Sequence, residues 1–180
     1  MRTLNRLLVP LALAGLLIAA PIGCKRKRNR AASEAPSGPA TVVQTADPRM
    51  APQLVRGFHG VEQNAWRWTT GNFAVTLAPP ATAAQKGAVL MFKFAVPDVV
   101  VSQLKSVQVS ASVNGVALPP ETYLTAGDQT FSREVPASAF QNRTGLATVE
   151  FRLDKTLPPS ARDRRELGVV ASMIGFEARP

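Results

Sequence analysis

Cysteine occurs once in these 180 residues, at Cys24, and histidine once, at His59. One cysteine excludes an intramolecular disulfide. One of each also excludes the clustered thiolate and imidazole ligands of a zinc site, and no metal or cofactor is expected. No G-x-S-x-G elbow, P-loop or G-x-G-x-x-G stretch occurs, which removes the usual sequence marks of serine hydrolases and nucleotide enzymes. The longest apolar run falls short of the roughly 20 residues that a membrane-spanning helix needs. Aromatic residues make up only 6% of the chain, so their placement is informative: both tryptophans lie in residues 57–69, beside the histidine.

That longest run lies near the N-terminus. Arg2 and Arg6 precede an apolar stretch from Leu7 to Ala20, followed by Pro21-Ile22-Gly23-Cys24. A basic start, a short apolar core and a small residue before the cut form a secretory signal, residues 1–23. Gly23-Cys24 in this position resembles the lipobox of bacterial lipoproteins. The resemblance implies that Cys24 is acylated and becomes the first mature residue. Lys25 stands where such lipoproteins carry Asp when retained in the inner membrane, so the resemblance favours the outer membrane of a bacterial envelope. A conventionally cleaved secreted protein with one free thiol, and an uncleaved signal anchor, stay open as alternatives.

The formal charge of +9 is unevenly distributed. Seven of the 21 basic residues lie in the first 30 positions, most of them in Lys25-Arg26-Lys27-Arg28-Asn29-Arg30. The rest of the chain carries 14 bases against 12 acids. The basic excess therefore sits where an anchored chain meets anionic headgroups, at about 1 kcal/mol per residue near the surface. Membrane, rather than nucleic acid, is the expected partner. Residues 24–50 are rich in Ala, Pro and Ser, cannot bury a core, and read as a tether with a reach of roughly 25–30 Å.

Residues 51–180 read as one domain, strand after strand. Val107, Val109, Ala111 and Val113 alternate with Ser106, Gln108, Ser110 and Ser112, a period of two with one dry and one wet face. Ala147, Val149, Phe151 and Leu153 repeat the pattern, as do Ala88, Leu90, Phe92, Phe94 and Val96. Leu167 to Phe176 is apolar on both faces and predicts a central strand. Asn114-Gly115 is a strong hairpin signal, because a type I′ turn needs two positive φ angles. Gly71-Asn72 is a second hairpin candidate. Pro79-Pro80, Pro119-Pro120 and Pro158-Pro159 are expected in loops, outside any central strand. A single helical turn is expected near Ala137 to Phe140. The expected fold is all-β: a two-sheet antiparallel β-sandwich, jelly-roll-like, with about eight strands.

Two clusters carry candidate chemistry. In a strand Trp66 and Trp68 share a face and Arg67 points away. One reading makes the indoles core; the other makes them a platform on which a sugar stacks, with His59, Glu62, Asn64 and Arg67 bonding its hydroxyls. The second cluster is "DRRELG", residues 163–168. There Asp163 and Arg165 form an ion-pair turn, and Gly168 is expected to relieve an unusual backbone angle. Contact of Arg165 or Asp163 with Glu62 or Arg67 would merge the clusters into one network. A glycosidase needs two acids facing across a cleft, and Glu62 with Asp163 is the candidate pair. Asn142-Arg143-Thr144 fits a glycosylation sequon and reads as coincidence in a bacterial lipoprotein.

Gly57-Phe58-His59, Glu62, Arg67-Trp68-Thr69 and the closing Asp163-x-Arg165-x-Leu167-Gly168-Val169 resemble a β-sandwich module of bacterial envelope proteins, one also found attached to glycosyltransferases. The resemblance spans roughly residues 54–178. It implies an accessory module in a glycan-handling setting and transfers no catalytic residue. The expectation is a membrane-anchored, non-catalytic lipoprotein that binds a glycan or another envelope component. Trp68, Trp66, Arg67, Glu62 and His59 would form the site, with Asp163 and Arg165 supporting it. An interaction or structural subunit of an envelope assembly, and a glycan-active hydrolase, are the alternatives.

Overall fold

The computed structural model describes residues 38–141 and 145–179. The signal, Cys24, the basic run and the sequon lie outside them. Nine strands form in chain order: β1 (Val42–Gln44), β2 (Leu54–Glu62), β3 (Trp66–Leu77), β4 (Ala88–Val96), β5 (Val107–Val113), β6 (Val116–Tyr123), β7 (Gly127–Val135), β8 (Ala147–Leu153) and β9 (Val170–Ala178). Two short helices, α1 (Ala83–Lys86) and α2 (Asp98–Leu104), flank β4. The class is all-β and every pairing is antiparallel. Among the described residues no helix is long and apolar enough to cross a membrane.

Hydrogen bonding runs unbroken through the order β6-β5-β8-β3-β9-β4-β7, with β1 added to β9 and β2 to β3. The sheet curls until its ends nearly meet. There Tyr123 Oη donates to Thr130 O at 3.2 Å, Arg133 Nε donates to Pro119 O at 2.8 Å, and Arg133 pairs with Glu121 at 2.7 Å. Side chains thus close a seam that the backbone leaves open. Burial raises the Tyr123 phenol well above its ordinary pKa, and the Glu121 charge adds to the effect.

Inside the curl the alternation expected from sequence holds. The odd positions of β5 and β8 and the even positions of β4 point inward and are buried. Phe73 stacks on its register partner Phe151 at 4.9 Å, Phe92 stacks on Phe94 at 4.5 Å, and Phe92 meets Phe151 at 4.9 Å. Burying each such ring stabilises the fold by about 1.5–3 kcal/mol, and this aromatic centre fixes the curl. β9 is central, as its two-sided apolar run predicts, with β4 on one side and β1 and β3 on the other.

Five expectations are corrected. Gly71-Asn72 is no turn: β3 runs straight through it for 12 residues. The turn lies three residues before Trp66, where Gln63 and Asn64 take φ of 51° and 54° and Ala65 N donates to Glu62 O at 3.1 Å. Asn tolerates this left-handed region because its short polar side chain bonds locally. The 24–50 tether loses its last part to the domain: β1 pairs with β9, and Val43 and Thr45 are fully buried. A three-residue strand is too short to show a period. Pro119-Pro120 lies within β6 rather than in a loop, which is tolerated because β6 pairs only with β5 and is bulged there. α2 was not expected, since the one helical turn expected lies near Ala137 to Phe140; Pro97 and Asp98 start it. Gly168 has no positive φ; it is needed for space, because a Cβ there would lie 2.6 Å from Leu153 Cδ1 and 2.7 Å from Thr69 Oγ1. Asn114-Gly115 does form the β5–β6 hairpin, with φ of 51° and 86°.

Candidate functional site

The β2–β3 hairpin, the chain after β1 and the loop before β9 meet at one corner, and this brings the two sequence clusters together. Thr69, fully buried on β3, exchanges backbone hydrogen bonds with Val169 and Gly168 at 2.9 and 2.7 Å, while its Oγ1 accepts from Val169 N at 3.2 Å. The loop is closed by a Leu157–Leu167 bridge. Those bonds set Arg165 against the hairpin, where its Nη1 donates to Glu62 Oε1 at 2.7 Å. The same guanidinium holds Asp163 through Nε and Nη2, at 3.0 and 2.8 Å.

This double grip has an electrostatic signature. The hydrogen bonds from the Arg165 side chain, with a further bond from its backbone N–H, pull the Asp163 carboxyl down to about 2. In turn Asp163 first, and Glu62 second, hold the Arg165 guanidinium above its ordinary value. Arg165 thus lies between two carboxylates.

Arg67 faces away from the indoles and ties three segments. Its Nε donates to Thr45 O at 2.6 Å and its Nη1 to His59 O at 2.9 Å. His59 Nε2 lies 2.7 Å from Glu166 O; a carbonyl only accepts, so that nitrogen carries the proton. Glu166, which sequence reasoning did not single out, is as important as its neighbours. Its Oε1 accepts from Gly71 N at 3.0 Å and from Thr156 Oγ1 at 2.9 Å, fixing β3 where it bulges against β2. Gly57 is required at the same bulge: its φ is 78°, and a Cβ would lie 2.2 Å from Asn72 O.

Trp66 and Trp68 are both half-buried, and Trp68 packs on the core cluster. The indoles are therefore partly covered and partly open at the edge of this corner. No group of His, Cys, Asp or Glu among the described residues is arranged to hold a metal ion.

A second surface was not foreseen. The outer face of β3, β8, β5 and β6 forms an open trough of about 320 Å³. Register places Asn72, Arg152 and Ser110 side by side across three strands. The next row is Ala74, Glu150, Ser112 and Ala117, with Arg56 of β2 opposite Ala74. Arg56 reaches across that small alanine to pair with Glu150. The alternation of β5 and β8 did signal a wet face, but register alone shows which polar residues become neighbours.

No family model matches the chain, and no curated protein matches it. A solved structure to which it is similar is an acetyl xylan esterase from the rumen bacterium Butyrivibrio proteoclasticus, at 10% identity and a TM-score of 0.40. The likeness covers 79% of this chain and 34% of that one.

Proposed function

We propose that this protein is a membrane-anchored lipoprotein of a bacterial cell envelope, outer membrane favoured, whose β domain is a non-catalytic module that binds a glycan. The observation that carries the binding reading is the corner. Two half-exposed indoles lie on β3, and Glu62, the register partner of Trp66, is already fixed by Arg165; such rigidity lowers the entropic cost of holding a ligand. Glu62 Oε2 has no bond to another described residue and is the acceptor left for a sugar hydroxyl. The hydrolase reading is disfavoured because Arg165 lies between Glu62 and Asp163 and holds both, whereas a glycosidase pair must leave room for the sugar. An envelope-assembly subunit is the second reading. It is favoured by edge strand β2, which exposes Val55 and Val61 at 53% and 37%.

The finer fold we infer is a two-sheet jelly roll. The chain alternates between the groups β1-β9-β4-β7 and β2-β3-β8-β5-β6, as interlocked Greek keys do. On this reading the two-residue pairing of Arg67-Trp68 with Ala171-Val170 joins the sheets at one edge.

Two measurements test the function. Palmitate should label the wild type and not Cys24→Ala; an unlabelled wild type removes the anchor. Trp68→Ala should keep the far-ultraviolet spectrum of the wild type and lose binding on a glycan array. Array binding that survives in both Trp66→Ala and Trp68→Ala would remove the corner as the site.

A further inference from the structure

The trough, rather than the corner, holds the cation best placed for a ligand. Arg152 is exposed in the middle strand of the face, and among the described residues it makes no ion pair and no hydrogen bond. Its register neighbours are the neutral side chains of Asn72 and Ser110, which also have no hydrogen-bond partners. The other arginine of the face, Arg56, is already neutralised by Glu150. One unbalanced guanidinium is thus ringed by an amide and hydroxyls over a low floor that includes Ala117.

The surface lacks what a neutral sugar site uses. Phe151 is the one aromatic residue bordering the trough, and at 2% exposure its ring is turned into the core. Without a stacking face, affinity must come from charge and directed hydrogen bonds. A guanidinium presents a planar fork that matches a carboxylate, and the serines and Asn72 suit the hydroxyls beside it. From β3 to β6 the face is roughly 14 Å across at 4.7–4.9 Å per strand, a length suited to a short oligomer. We propose that the trough binds an acidic glycan, with Arg152 taking a sugar carboxylate and Asn72, Ser110 and Ser112 taking hydroxyls. This deepens the glycan-binding reading and rests on it, while moving charge recognition away from the tryptophans.

The test uses the full chain in detergent and a matched pair of probes: a short galacturonic acid oligomer, and the same oligomer with its carboxyl groups reduced to alcohols. Titration calorimetry should show the acidic oligomer binding more tightly, with affinity falling as salt rises. Arg152→Ala should weaken it about tenfold or more, as expected when a charged hydrogen-bonding partner is removed, and Arg152→Lys should recover part of the loss. Lys93→Ala, which removes an exposed cation on β4 outside both the trough and the corner, should leave it within about twofold, since distant sites act independently. Equal binding of both oligomers, or an acidic oligomer indifferent to Arg152→Ala, overturns the proposal. If binding then depends on Trp68, the module reading survives and the trough alone fails. If neither oligomer binds the folded wild type, the trough proposal is overturned, and an array without hits would take the glycan reading with it.

Discussion

The corner around β3 and the trough on β8 are built from the same kinds of residue, and they use them in opposite ways. At the corner Arg67, Arg165, Glu62, Asp163 and Glu166 bond to one another or to backbone, so charge there organises three chain segments. In the trough the side chains of Arg152, Asn72 and Ser110 stand in register without partners among the described residues. The difference teaches that a conspicuous cluster of rare residues need not be the part of a surface that is free to bind. Here the rare residues mark a place where distant segments are joined. Availability depends on which groups remain unpaired after joining.

Substitutions can break or sharpen this contrast. Gly57→Ala should have the largest effect, about 3 kcal/mol or more, because it combines a strained φ with a backbone clash at the β2 bulge. A fall in the urea midpoint would read it, and an unchanged midpoint would mean that the bulge is not needed. Arg67→Ala should follow at about 2–3 kcal/mol, through two charged hydrogen bonds to backbone carbonyls. Arg165→Ala should cost less, about 1 kcal/mol or below, since the ion pairs it loses are about a third exposed. Arg152→Ala should lie within about 0.5 kcal/mol of wild type, and a larger loss would make Arg152 part of the frame.

Acid should weaken the corner. The folded Asp163 carboxyl is depressed to about 2, below its unfolded value near 3.8. Its contribution is therefore complete above about pH 4 and is lost as pH falls toward 2. An Asp163→Asn variant should show a flatter stability profile across that window in thermal melts; an unchanged profile would remove Asp163 from the linkage.

Much of the fold is legible because a half-buried strand must alternate. β4, β5 and β8 follow from parity alone, and the Asn114-Gly115 turn from its demand for positive φ. What escaped is set by tertiary context. Gly71-Asn72 has turn composition, yet Glu166 and Arg152 engage it from other parts of the chain and keep β3 extended. β1 is too short to carry a signal and exists because β9 offers it an edge. The union of Glu62 with Arg165 was foreseeable only as a condition, for nothing local fixes a contact 103 residues apart. The trough was invisible for a related reason: Asn72, Ser110 and Arg152 become neighbours only once three strands are in register.

The short strand β1 has a mechanical meaning. A pull arriving along the chain from its N-terminal side meets β1 before it meets β2. To pass further it must draw Val43 and Thr45 out of the interior and strip Thr45 O from Arg67. β1 therefore works as the clamp on a cable does: tension stops at the point of entry, and the strands that form the open face keep their spacing while the chain in front of them is tugged.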